Sequence, residues 1–196
     1  MQTIRYYERL EEDTPANGAC VRVHKNAPWL PKLQGAEQVW IETADAEAAL
    51  EAAAAVRRPT LNSLAADEAA WAALGADALR RFEAVVLLPF RPGAAAQRYE
   101  DSVAAVFDLA NRYGVPPERR IIDVCVMPRS VEPDTAAYER RIAWLREAFG
   151  ARTCGGVNNY VYQENEDLLP DVWSRLSRAG MTYGIVSARL AERFGW

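Results

Sequence analysis

The segment YEDSVAAVFDLANRYGVPPERRIIDVCVM, residues 99–127, shows how the chain is built. Its first half carries apolar residues at helical spacing from Val103 to Tyr113, and Gly114 follows where helices commonly end. Its second half, residues 121–127, is apolar at almost every position, which is typical of a strand covered on both faces of a parallel sheet. The segment therefore predicts a helix over residues 97–113 followed by a buried strand.

The same alternation of short apolar runs and longer helix-like segments recurs along the chain and indicates repeated strand–helix units. The predicted strands cover residues 3–7, 19–24, 38–43, 60–64, 84–90, 121–127, 153–158 and 182–187. The predicted helices cover residues 46–56, 67–74, 97–113, 134–149, 168–179 and 188–194. We predict an α/β fold, a minimal or incomplete (β/α)8 TIM-type barrel, formed by a single domain over residues 1–196.

The N-terminal third is predicted to be poor in helix. Residues 8–35 show no amphipathic pattern and contain loop-like sequence such as APWLP at 27–31. The chain has 196 residues, just under the usual size of about 200 to 400 residues for this fold. An incomplete barrel would expose sheet edges, which are usually covered by another chain, so we expect a homo-oligomer.

Composition excludes several classes of protein. The formal net charge is -4, and no concentrated basic face is evident, which argues against nucleic acid as a partner. Residues 1–13 lack the apolar core of a signal peptide, and no run of 18 apolar residues suggests a membrane span. The 3 cysteines are far apart and odd in number, so we expect reduced core thiols and a cytoplasmic protein.

The sequence carries few signs of familiar catalytic machinery. His24 is the only histidine, so a zinc site or a Ser-His-Asp triad is not indicated, and we expect His24 at a strand end or on the surface. No GxGxxG or phosphate-loop spacing occurs. Gly155 and Gly156 indicate close approach of another group to a strand.

Polar residues stand in or just after four of the apolar runs. They are Glu42, Asn62, Asp123 and the Asn158-Asn159 pair. Ligands of parallel α/β folds bind beyond the carboxyl ends of the strands, and an unpaired buried polar group costs about 1–3 kcal/mol. These residues therefore form either a structural hydrogen-bond network with helix caps, or a site for a flat heterocycle with several N–H donors and one carbonyl.

At these strand ends the sequence resembles the pterin-binding methyltransferases, which move the methyl group of methyltetrahydrofolate to or from a corrinoid protein and share a superfamily with dihydropteroate synthase. The resemblance rests on IET at 41–43, RRPTLNSL at 57–64, YEDSVAAVFDLANRYGVPPERRIIDVCVMPRSVEPDT at 99–135 and TCGGVNNYVYQ at 153–163. Dihydropteroate synthases resemble the chain less well, because their seventh strand carries a lysine motif that residues 159–162 lack.

The resemblance implies a role for each strand-end residue. Asn62 and Asp123 would hold the polar edge of the pterin, together with Glu42, which stands where the family has Asp. Asn158 would contact N5 of the folate and serve as the catalytic residue, since general-acid assistance at N5 makes the amine a better leaving group. The implied cofactors are tetrahydrofolate, as methyltetrahydrofolate, and a corrinoid carried by a partner protein.

The chain also departs from the family's pattern. The family's "DVN"-like second strand has no counterpart, since the chain reads ACVRVHKN at 19–26. Arg91 and Arg129 would line the mouth of the barrel, where they either bind an anionic group or are simply surface charges.

Two other hypotheses remain open. One is a non-catalytic shortened barrel that binds a ligand or a partner subunit. The other is a different barrel enzyme that uses Asp123 and Glu42 as an acid/base pair.

Overall fold

The structure, a computed structural model, describes residues 1–11, 13–90 and 98–196. Within these residues, eight strands are hydrogen-bonded in chain order and close into a parallel barrel. The strands are β1 (Gln2–Tyr7), β2 (Ala19–Arg22), β3 (Gln38–Glu42), β4 (Arg58–Ala65), β5 (Ala84–Leu88), β6 (Arg120–Asp123), β7 (Arg152–Gly156) and β8 (Tyr183–Ser187). The TIM-type prediction is confirmed, and the barrel is minimal rather than incomplete. The expectation of a homo-oligomer rested on an open sheet edge, and the closed strand order removes that reason for it.

Each predicted helix is present in the described part of the chain. The helices are α1 (Ala46–Ala55), α2 (Glu68–Leu79), α3 (Tyr99–Arg112), α4 (Ala136–Phe149), α5 (Leu169–Ala179) and α6 (Ala188–Phe194). Among the described residues before β3, the 3-10 helix Leu30–Leu33 is the only helix, as predicted for the N-terminal third. Within the described residues the longest helices, α3 and α4, have 14 residues each, fewer than the roughly 20 that a membrane span requires.

The described residues group into two compact units, residues 6–121 and residues 1–5 with 122–196. The core of the first unit includes Trp40 and Trp71, neither of which has exposed surface. In this unit α2 is interrupted at Gly75, whose φ of 73° and ψ of 159° suit only glycine. The interruption explains why the periodic pattern of α2 ends at residue 74.

In the second unit, α4 buries Tyr138, Ile142 and Leu145 completely. Phe149, the last residue of α4, is 44% exposed and packs edge-on against Trp144 at 5.4 Å between ring centres. The helix ends at Gly150 in the left-handed conformation, which has no Cβ penalty for glycine.

Six strands are shorter than predicted, and at β6 and β7 the difference changes the setting of candidate site residues. β6 ends at Asp123 rather than at residue 127, because the Asp123 carboxylate accepts the N–H of Cys125 at 2.7 Å and Cys125 turns to a positive φ of 53°. β7 ends at Gly156, so Asn158 lies in the following 3-10 helix, Val157–Val161, and not in a strand. In both places local side-chain and turn geometry overrides an apolar run.

The three cysteines are free thiols, as expected. Cys20 and Cys154 are buried, which confirms their place in the core. Cys125 is only half-buried, because the turn after β6 carries it out of the strand.

The helix that follows β3 begins at a side-chain cap. Asp45 accepts the N–H groups of Glu47 at 2.9 Å and Ala48 at 3.2 Å, which satisfies two of the otherwise unpaired donors of α1. The N–H of Asp45 in turn donates to the hydroxyl of Thr43 at 3.0 Å. The turn from Glu42 into α1 is therefore held by three hydrogen bonds.

Asp45→Ala is expected to lower the free energy of unfolding by about 1 kcal/mol, because the cap is lost. Asp45→Asn keeps an acceptor oxygen at the same place and should lose only part of that stability. Urea unfolding of the two variants and the wild type measures the difference. Equal stability of Asp45→Ala and the wild type would show that the cap contributes nothing.

Candidate functional site

The register of three neighbouring strands brings two predicted site residues together. Arg22 of β2 lies opposite Glu42 of β3, and Glu42 lies opposite Asn62 of β4. In parallel strands, residues in register project to the same face of the sheet. The carboxyl ends of β2 and β3 and the middle of β4 therefore present a row of polar side chains.

The third member of this row sits at an irregularity of β4. Between Leu61 and Leu64 the strand advances three residues while its partner β5 advances two, from Val85 to Leu87. Such a bulge bends a strand locally and re-aims the side chains within it. Asn62 lies in the bulge, 8% exposed.

Cys20 connects Asn62 with Glu42. The amide Nδ2 of Asn62 donates to the Cys20 sulfur at 3.4 Å, and that sulfur lies 4.0 Å from Oε2 of Glu42. Burial, and secondly the charge of Glu42, raise the pKa of the Cys20 thiol, which keeps it protonated. Glu42 and Asn62 are thus brought into one cluster, with a neutral thiol between them.

Arg22, which was not predicted from the sequence, completes the cluster. Its Nη2 lies 3.0 Å from Oε1 of Glu42, and its Nη1 lies 3.1 Å from Oε2 of Glu8. In the sequence, a charged residue at the end of a short strand looks like an ordinary solvent-exposed residue. The only signal in the sequence is its spacing of two residues from Cys20, which places both side chains on one face of β2.

Asp123 ends β6 in the second unit. The residue is half-buried, and desolvation of its carboxyl group raises the pKa of Asp123 to about 6. The hydrogen bond from the N–H of Cys125 lowers this pKa, but its effect is smaller than that of desolvation. Asp123 therefore changes protonation close to neutral pH, and its carboxyl can accept hydrogen bonds or donate one.

The segments after β6 and β7 are tied together around Asn158. The Asn159 amide donates to the carbonyl of Val126 at 3.4 Å, and the N–H of Arg129 donates to the carbonyl of Tyr160 at 3.0 Å. The hydroxyl of Tyr160 donates to the carbonyl of Pro133 at 2.6 Å. These bonds fix the 3-10 helix that carries Asn158, which is half-buried.

The two glycines of β7 allow this close packing. A Cβ at Gly155 would lie 3.0 Å from a methyl group of Val126 and 3.1 Å from one of Val124. A Cβ at Gly156 would lie 2.9 Å from Nδ2 of Asn159. The prediction of close approach at Gly155-Gly156 is confirmed.

The remaining predicted positions lie outside these clusters. Arg91 falls outside the described residues. Arg129 is exposed and contributes its backbone N–H to the loop contacts. His24 is exposed, edge-on to Trp29 at 6.2 Å, as expected for a surface residue. Across residues 1–11, 13–90 and 98–196, no three His, Cys, Asp or Glu side chains converge as metal ligands.

The Asp123→Asn variant is expected to lack a fall in the free energy of unfolding that the wild type shows as the pH rises. Because the folded-state pKa of Asp123, about 6, lies above its ordinary value of 3.8, the folded protein binds the proton more tightly. The wild-type free energy of unfolding therefore falls as the pH rises from about 4 to about 6, and the deficit is complete above pH 6. Asn cannot ionise, so the variant should gain on the order of 3 kcal/mol relative to wild type over that interval.

Urea unfolding at several pH values between 4 and 8 measures this difference. Asp134→Asn is the control, since exposed Asp134 also accepts a backbone N–H, that of Ala136, at 2.9 Å. A difference between Asp123→Asn and wild type that stays constant with pH would contradict the assignment.

No family model and no curated protein matches the chain, but solved structures do. Dihydropteroate synthase from Thermus thermophilus, in complex with 6HMPPP, matches with a TM-score of 0.63 and 16% identity, over 99% of this chain and 91% of that one. The enzyme from Xanthomonas albilineans with 4-aminobenzoic acid matches with a TM-score of 0.61 and 16% identity, over 90% and 76% of the two chains.

A third such structure is the dihydropteroate synthase from Coxiella burnetii in complex with pteroic acid. It matches with a TM-score of 0.59 and 13% identity, over 98% of this chain and 89% of that one. Identities this low show the fold and not the activity. The chain therefore has the TIM-barrel fold of the dihydropteroate synthases, the fold that its strand-end motifs predict.

Proposed function

We propose that the chain is a pterin-binding transferase that moves a methyl group between methyltetrahydrofolate and a corrinoid protein. The observation that supports this best is the pairing of Glu42 with Asn62 in register, with Asn62 buried in a strand bulge. Both residues stand where the resemblance puts contacts to the pterin. Three of the matching structures contain 6HMPPP, 4-aminobenzoic acid and pteroic acid in the same fold.

The chemistry of the pair suits a pterin ring. A pterin presents N–H donors beside a carbonyl, so it requires acceptors and a donor in one plane. Glu42 supplies carboxylate oxygens, and Asn62 supplies a carboxamide oxygen in addition to the amide that donates to Cys20. Because Asn62 is buried, its hydrogen bonds to a ligand would be shielded from water and correspondingly strong.

For Asp123 and Asn158 the proposal follows the resemblance. Asp123 would bind the polar edge of the pterin, and its pKa of about 6 allows its carboxyl to hold a proton near neutral pH. Asn158 would contact N5, and a hydrogen bond there assists departure of the amine, an effect typically worth about 10²–10⁴-fold. The fixed loop contacts around Asn158 would hold that contact in place before the ligand binds. A corrinoid on a partner protein would supply the cobalt that exchanges the methyl group.

The matching structures favour dihydropteroate synthesis as a second candidate activity. The segment VNNYVYQ at 157–163 argues against it, because it lacks the lysine that the resemblance associates with the synthases. A chain that binds a pterin without turnover is the remaining alternative.

Asp123→Ala is expected to weaken binding of methyltetrahydrofolate at least about tenfold, the loss that follows removal of one charged hydrogen-bond partner. Isothermal titration of the purified chain measures the affinity. Asp134→Ala is the matched control and should bind like wild type, since Asp134 is an exposed acceptor on the same segment. Absence of binding by the wild-type chain would rule out the pterin site.

The reaction itself is tested with two substrate pairs. One reaction contains methyltetrahydrofolate and a reduced corrinoid protein, and the other contains 6HMPPP and 4-aminobenzoate. We expect the first reaction to yield tetrahydrofolate and the second to yield no pteroate. The Asn158→Ala variant should not catalyse the first reaction. Pteroate formation would identify a synthase, and pterin binding without either product would identify a non-catalytic pterin-binding protein.

A further inference from the structure

We propose that Arg22 is a positioning residue, which holds the carboxylate of Glu42 beside Cys20 and Asn62 before a ligand arrives. The proposal deepens the function proposed above and rests on it. It concerns a residue of β2 that the resemblance does not assign, in a stretch where the chain departs from the family's pattern.

The guanidinium of Arg22 is itself held from several sides. Its two terminal nitrogens contact different carboxylates, Glu42 at 3.0 Å and Glu8 at 3.1 Å. Glu8 accepts a further hydrogen bond from the hydroxyl of Tyr6 at 2.8 Å, and the ring of Tyr6 lies 5.9 Å from the guanidinium carbon. A planar guanidinium fixed by two carboxylates and a ring has little freedom left.

This arrangement orients Glu42. With Oε1 bound to Arg22, the other oxygen, Oε2, points toward the Cys20 sulfur, 4.0 Å away. The same sulfur accepts the hydrogen bond from Asn62. Oε2 is therefore presented on the side of the cluster where the buried carboxamide lies.

The length of the Glu42 side chain makes such a restraint necessary. The resembled family has Asp at this position, and Glu adds one methylene and one rotatable bond. Ordering a flexible Glu side chain on binding costs conformational entropy. Because Arg22 already orders the side chain of Glu42 in the free protein, this entropy is not lost when a ligand binds. The guanidinium also lies between the like charges of Glu8 and Glu42.

Because Arg22 is exposed, its effect on the orientation of Glu42 can be measured separately from any effect on folding stability. Its side chain is 54% exposed, and ion pairs with so much contact with water contribute little to folding. Arg58 offers a matched comparison in the same unit, since it pairs with Glu83 at 2.9 Å and is 50% exposed. Arg58 begins β4 and is four residues before Asn62 along that strand.

The test is isothermal titration with methyltetrahydrofolate of the wild type, Arg22→Gln, Arg22→Lys, Glu42→Gln and the double variant of the two glutamine changes. We expect Arg22→Gln to lose about tenfold or more in affinity while its thermal midpoint stays close to that of the control, Arg58→Gln. Arg22→Lys should recover part of the affinity, because it keeps the charge but not the fork of the guanidinium. The double variant should bind no more weakly than Glu42→Gln alone.

Wild-type affinity in Arg22→Gln, or additive losses in the double variant, would overturn the proposal. Crystal structures of the free wild type and of Arg22→Gln give a second readout that needs no ligand. The Glu42 carboxylate should turn away from Cys20 in the variant, and an unmoved carboxylate would overturn the positioning role. If the wild type binds no methyltetrahydrofolate, the proposed function fails, and the two free structures still decide whether Arg22 positions Glu42.

Discussion

The register of β2, β3 and β4 is the constraint on which the candidate site depends. Because side chains alternate between the two faces of a strand, a slip of one residue would send Glu42 or Asn62 to the opposite face. The register is secured by the buried layer two residues earlier, which contains Cys20, Trp40 and Thr60, each at most 1% exposed. Packing of apolar side chains in the core thus determines which polar groups meet at the strand ends.

Much of the fold could be predicted from the sequence because the pattern of apolar residues carries it. Strands buried on both faces and helices with one apolar stripe leave a strong signal in composition, so all eight strands and all six helices of the described residues are found in their predicted places. The predicted ends of β6 and β7 were wrong, because they depend on the Asp123–Cys125 hydrogen bond and on the backbone of Gly156. Such contacts involve single residues and leave no periodic signal.

The candidate site was predictable only in part, for a related reason. Glu42 and Asn62 stand out because each interrupts an apolar run, where a polar group requires a partner. Arg22 interrupts nothing, and its place beside Glu42 follows from pairing between strands that are 20 residues apart in sequence. Asn158 was predicted to be a site residue in a strand, and the structure places it in a 3-10 helix. The position of such a residue in the site depends on the register of a neighbouring strand. A single sequence does not show that register.

Glu42 and Asp123 show how the surroundings of a carboxyl group change its properties. Glu42 lies against a guanidinium that is shared with Glu8, so its charge is balanced by a partner within the fold. The carboxyl of Asp123 is desolvated instead, and its pKa rises to about 6 because burial outweighs the hydrogen bond that it accepts from the N–H of Cys125. The carboxylate of Glu42 is therefore held by an ion pair, while the carboxyl of Asp123 can exchange a proton near neutral pH.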